Sequence, residues 1–166
     1  MTATIAFREL TGGAGQTSVM SASPGPDLAG HGYSELEYAA SGIARRFVER
    51  PDGELDGVEP APFTTRILVR RPDAAQFNGH VVVEWFNVSS GADSAPEYTY
   101  VAQELVRSGT AYVGISAQYT GIAGGRDSVD LETTGAGTAG VQGDSLEAKD
   151  PERYAGLHHP GDGYSY

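Results

Sequence analysis

The sequence predicts an α/β protein in which an N-terminal antiparallel meander leads into a parallel sheet. Three observations carry that expectation. His80–Val88 (HVVVEWFNV) and Ala111–Ala117 (AYVGISA) are apolar runs with almost no polar alternation, the pattern of central parallel strands covered on both faces. Ala95–Ser108 (APEYTYVAQELVRS) lies between them and places Tyr98, Val101, Ala102, Leu105 and Val106 on one face at helical spacing. Strand, helix and strand in this order form the crossover unit of parallel sheets, with a right-handed connection expected.

Taken in order, Thr4–Glu9 reads as a short first strand, followed by a turn at Gly12-Gly13. Val19–Gly32 is rich in Ser, Pro and Gly and reads as loop. Tyr33–Ala40 (YSELEYAA) and Ile43–Val48 (IARRFV) read as two strands of the meander. Arg50–Pro60 (RPDGELDGVEP) repeats Asp-Gly, which is turn chemistry. Phe63–Arg70 alternates: Phe63, Thr65, Ile67 and Val69 share one face, and Thr64, Arg66, Leu68 and Arg70 the other. Glu84 is the odd residue of its apolar strand, and pairing with an arginine on a neighbouring strand is expected of a buried carboxylate. Asn87–Ser94 (NVSSGADS) is a polar loop. Ser94 and Glu97 spell a capping box for the helix, Pro96 suits its first turn, and Gly109 supplies a stop. Thr120–Asp144 is glycine-rich and poor in apolar anchors, so a flexible insertion is expected there, with no helix starting at Tyr119-Thr120-Gly121. Asp150–Tyr166 (DPERYAGLHHPGDGYSY) regains aromatic and turn residues.

The 166 residues suffice for one domain with a core. A net charge of −11 disfavours nucleic acid and anionic membrane as partners, since both would be repelled. There is no cysteine, hence no disulfide and no thiolate metal site. Met1–Leu10 lacks the basic and apolar regions of a signal peptide, and no run approaches the roughly 20 apolar residues of a membrane span, so a cytoplasmic protein is expected. No cofactor is expected: Ser89–Asp93 (SSGAD) lacks the glycine pattern and the lysine of a phosphate loop. No metal is expected either, because His158, His159 and Asp162 lack ligand spacing and His31 and His80 sit in no ligand motif.

Several ordered segments together resemble a known family. Gly32–Ala40, Thr65–Pro72, Phe77–Val88, Tyr98–Gln118 and Asp150–Tyr166 look like the N-terminal half of a bacterial α/β-hydrolase domain protein. The resemblance implies an α/β-hydrolase-like fold, antiparallel at its start and parallel after it, and a serine hydrolase of esterase type with a small-molecule ester substrate. In that fold the nucleophile stands on a G-x-S-x-G elbow, which this sequence does not contain. The resemblance therefore implies that nucleophile, acid and histidine lie after Tyr166, that residues 1–166 are one incomplete domain inactive by itself, and that Ala111–Ala117 is left as an open edge. It also implies an oxyanion-hole donor in the loop after His80–Val88, for which Asn87, Val88 and Ser89 are the candidates.

Two serines imitate a nucleophile. Ser116 follows a strand, but Gln118 stands where the elbow needs its second glycine, and Ser116 reads as a strand-end residue. Gly143-Asp144-Ser145-Leu146 spells the GDSL hydrolase signature without the apolar strand that should precede it. Two other readings stand beside the esterase: a non-catalytic α/β binding or interaction module, and a GDSL-type hydrolase using Ser145.

Overall fold

A computed structural model describes residues 4–21, 23–125 and 143–161. One five-stranded sheet organises them, in the order β1-β2-β3-β5-β4. Its strands are β1 (Ala6–Glu9), β2 (Tyr33–Glu49), β3 (Leu55–Pro72), β4 (Val81–Trp85) and β5 (Ala111–Ile115). β1, β2, β3 and β5 pair antiparallel in succession, and β5 pairs parallel with β4. The expected mixed architecture, antiparallel first and parallel after it, is present. Four α-helices accompany it among the described residues: α1 (Pro96–Ser108), α2 (Tyr119–Ala123), α3 (Leu146–Lys149) and α4 (Pro151–Tyr154).

The meander differs from expectation in one respect. Tyr33–Ala40 and Ile43–Val48 are not two strands but parts of the single strand β2, which runs through Ser41-Gly42 without a turn. Gly42 signals no turn here. A Cβ at that position would meet the Ile5 side chain at 2.6 Å and the Phe63 ring at 3.1 Å, so the missing side chain lets two apolar groups close over the strand. The reversal falls instead at Arg50–Gly53, and β3 starts at Leu55, inside the segment whose second Asp-Gly pair reads as a turn.

The parallel pair is in register from Val81 opposite Ala111 to Trp85 opposite Ile115. The expectation that both strands are covered on both faces fails for β4. It is the outer strand, with Val83 61% and Trp85 57% exposed. Among the described residues the edge beside the parallel pair is therefore β4, whereas β5, expected as the edge, is enclosed between β3 and β4.

Helix α1 packs one face on the sheet. Tyr98, Ala102 and Leu105 join Leu68, Phe86, Ala95 and Tyr112 in the main apolar cluster. The helix ends as expected at Gly109, whose left-handed φ of 72° lets its N–H reach the Leu105 and Val106 carbonyls. Its start is built differently. The Ser94 hydroxyl donates to the Asn87 carbonyl and does not cap, and Ala95 is the N-cap residue. The capping acceptor comes from the sheet: the Glu84 carboxylate accepts the Glu97 N–H at 3.1 Å and the Tyr98 N–H at 3.0 Å. It also accepts the Tyr112 hydroxyl at 2.6 Å. The arginine partner expected for Glu84 is thus replaced by helix amides and a phenol. A carboxylate at a helix N-terminus satisfies orphan donors and meets the positive end of the helix dipole.

A second apolar cluster, Leu10, Ala39, Ile122, Leu146, Tyr154 and Leu157, joins the short helices to the sheet. Helix α2 overturns the expectation of no helix at Tyr119-Thr120-Gly121: Thr120, Gly121 and Ile122 are buried. The rest of the expected flexible insertion, 126–142, lies outside the described residues.

Candidate active site

The loop after β4 is pinned from several sides. Asn87 and Ser94 exchange backbone hydrogen bonds, at 3.0 Å from the Asn87 N–H and 2.8 Å from the Ser94 N–H. The Met20 N–H donates to the Asp93 carbonyl and the Ala95 N–H to the Met20 carbonyl, so the N-terminal segment flanks the loop. The Gly143 N–H donates to the Ser90 carbonyl from the other side. The loop closes on itself through the Gly91 N–H, which donates to the Val88 carbonyl at 2.9 Å.

The three candidate donors are not equivalent. The Asn87 N–H is taken by Ser94. The Ser89 N–H donates to the Asn87 side-chain oxygen at 2.9 Å, an Asx turn. The Val88 N–H donates to no partner among the described residues. Of the three, Val88 alone has a backbone N–H uncommitted at the carboxyl end of a parallel strand, where α/β folds gather their chemistry.

Beneath the loop lies a buried ionic network absent from the sequence-based site. Arg66 of β3 is 0% exposed. Its Nε donates to Ser116 Oγ at 3.0 Å, its Nη1 to Glu37 at 3.0 Å and its Nη2 to Asp93 Oδ2 at 2.8 Å. The Ser116 hydroxyl in turn donates to the same Asp93 oxygen. Glu37 receives Arg153 Nε at 2.8 Å and the Tyr154 hydroxyl at 3.0 Å, which ties helix α4 to the network. Burial alone would lower the pKa of Arg66, but the carboxylates of Asp93 and Glu37 outweigh it and hold the guanidinium charged. Asp93 Oδ1 is buried without a hydrogen-bond partner among the described residues.

Both serine look-alikes have structural duties. Ser116 is fully buried in this network at the end of β5, in keeping with its reading as a strand-end residue. Ser145 is the N-cap of α3, its hydroxyl accepting the Ala148 N–H. Among the described residues no serine hydroxyl is hydrogen-bonded to a histidine. His159 is turned to the sheet end: its Nε2 bonds the Ala117 carbonyl at 3.0 Å and its Nδ1 accepts the Gly161 N–H at 3.1 Å. Desolvation lowers its pKa, and a ring whose Nδ1 already accepts a proton donor is held neutral. His158 forms a backbone bridge with Thr64 of β3. No group of three His, Asp or Glu side chains placed to hold a metal occurs among the described residues.

The ionic network left a trace in sequence only as two charges, Glu37 and Arg66, inside otherwise apolar or alternating strands. Nothing local says that the partners are Asp93, Ser116 and Tyr154, which are 27 or more residues away from Arg66 along the chain. No curated protein and no solved structure matches this chain. A mixed sheet of this order, antiparallel at its start and parallel at β4 and β5, agrees with the family model for the alpha/beta hydrolase domain, which matches residues 6–166: the chain belongs to the alpha/beta hydrolase domain family.

Proposed function

We propose that this chain supplies the sheet and the oxyanion-stabilising loop of a serine hydrolase acting on small ester-type substrates. Membership of the hydrolase family supports hydrolytic chemistry, and the observation that carries the finer reading is the uncommitted Val88 N–H. When a nucleophile attacks an ester carbonyl, negative charge develops on the carbonyl oxygen. A preorganised backbone N–H aimed at that oxygen stabilises it with no reorganisation at the moment of reaction. The Asx turn at Asn87 and the Asn87–Ser94 pairing hold the neighbouring backbone, so Val88 is fixed in place. Covalent catalysis also needs a serine, a base and an orienting acid within hydrogen-bond reach. Among the described residues no serine, histidine and carboxylate stand together in that arrangement. A net charge of −11 argues against nucleic acid and anionic membrane as partners. Among the described residues no helix is long and apolar enough to cross a membrane.

The test uses the purified protein and an activated short-chain ester such as p-nitrophenyl acetate. Val88→Pro deletes the N–H and is expected to lower kcat by about 10²–10³-fold with KM nearly unchanged. Absence of esterase activity, or a fully active Val88→Pro variant, overturns the reading. Labelling of Ser116 or Ser145 by a fluorophosphonate would identify that serine as the nucleophile and overturn its structural assignment.

A further inference from the structure

We propose that Arg66 and Asp93 are positioning residues, their buried ion pair setting the loop Asn87–Ser94 where the Val88 N–H acts. The inference rests on the role of Val88 given above and adds the device that fixes it. Asp93 is one residue from the end of the loop, and its side chain turns inward, buried, to Arg66. Arg66 has no freedom of its own. Its planar fork meets three acceptors from three separate parts of the chain: Glu37 on β2, Ser116 after β5 and Asp93 in the loop. Glu37 is itself gripped by Arg153 and Tyr154. With the guanidinium held on two sides by the sheet, only one place is left for the Asp93 carboxylate, and the loop follows it.

The surroundings are shaped to that carboxylate. A Cβ at Gly121 would lie 2.1 Å from Asp93 Oδ1, so α2 closes over the carboxylate only because residue 121 is glycine. Stability alone does not call for such an arrangement. Apolar residues of similar volume often replace a buried ion pair at no cost, and Asp93 keeps one buried oxygen without a hydrogen-bond partner among the described residues. What the pair supplies is a fixed geometry, and a displacement of about 1 Å at a reacting centre can cost a hundredfold in rate.

Two variants separate charge from space. Asp93→Asn removes the charge and keeps the shape. Gly121→Ala keeps the charge and pushes the carboxylate aside. Each is made in the full chain and followed by amide hydrogen exchange and by kinetics on p-nitrophenyl acetate. In both, exchange of the Asn87, Ser89 and Ser94 amides is expected to accelerate about tenfold or more, while β2 and β3 amides keep wild-type protection. The value of kcat is expected to fall about tenfold to a hundredfold with KM within a factor of about two. Unchanged loop exchange overturns the proposal, as does equal loss of protection in loop and strands, which marks a purely structural pair. A loosened loop with wild-type kcat also overturns it. If the wild type hydrolyses no ester, the reading of Val88 falls separately, and the exchange measurements alone decide whether the pair sets the loop.

Discussion

The two faces of the sheet are built on opposite plans. The face under α1 carries the charges. Glu35, Glu37, Arg66, Arg70 and Glu84 share it with Leu68, Tyr112 and Phe86, and the cross-strand register Glu37–Leu68–Gly114–Glu84 runs along it. The opposite face is apolar. Its rows are Leu36–Val69–Val113–Val83 and Tyr38–Ile67–Ile115–Trp85, and these side chains are half-buried or exposed. The usual rule would bury the apolar face and wet the charged one. The inversion teaches that the charges on this sheet are not solvating groups. Each has a partner that fixes another element: Arg66 the loop and β5, Glu84 the start of α1, Glu37 the helix α4. Arg70 stacks 3.9 Å above the Tyr98 ring and pairs with Glu35, joining β3 to α1 and β2.

The largest break in that comparison is expected at its centre. Arg66→Met keeps much of the volume and leaves the Asp93 carboxylate buried without its cation. Removing one partner of a buried pair typically costs about 3–5 kcal/mol, and a loss of that size is expected in urea unfolding of the variant. A cost below about 1 kcal/mol would mean that water already reaches the network, and the contrast between the faces would weaken.

Glu84 sharpens the comparison through pH. Desolvation raises its pKa above the usual 4.5, and a hydrogen bond involving Glu97 pushes the same way, while the Tyr112 and backbone donors oppose it. The folded protein therefore holds this proton more tightly than the unfolded chain does. Its contribution to stability is complete below the unfolded pKa and is lost as pH rises through the folded one. Glu84→Gln removes that titration and weakens the cap of α1, at a cost of about 1–2 kcal/mol near neutral pH. The expected signature is a difference between wild type and variant that widens as pH falls toward 4.5, read from unfolding midpoints. A gap that narrows on acidification would show that the helix amides, not burial, govern the carboxylate.

How much of this was legible follows from where the information sits. Helix α1, its stop at Gly109 and the two strands around it are local patterns of period and turn chemistry, and they are where the sequence places them, within a few residues. The continuity of β2 was hidden because Ser41-Gly42 looks like a break, and only contact with Ile5 and Phe63 explains the glycine. The role of Glu84 was hidden because its partners are backbone amides 13 and 14 residues on, and amides have no letter in a sequence. The candidate loop was legible as a position, since polar loops at strand ends stand out. The choice among Asn87, Val88 and Ser89 was not, because it depends on which amides the loop spends on itself. The Arg66 network was the least legible part, since it joins residues from five separate segments.

The smallest effect is expected on the apolar face, and it tests the comparison from the other side. Val83 is 61% exposed although its strand is apolar apart from Glu84. If the face is open to solvent, Val83→Thr in residues 1–166 removes little buried area, and the change in unfolding free energy should stay within about 0.5 kcal/mol. Leu68→Ala on the face under α1 deletes a side chain that is 1% exposed and should cost about 2–5 kcal/mol. The ratio of the two costs measures the inversion directly. A cost at Val83 approaching that at Leu68 would show the face to be covered. Repeating the measurement at several protein concentrations would then identify the cover, since burial against a second copy makes the midpoint rise with concentration and burial within one chain does not.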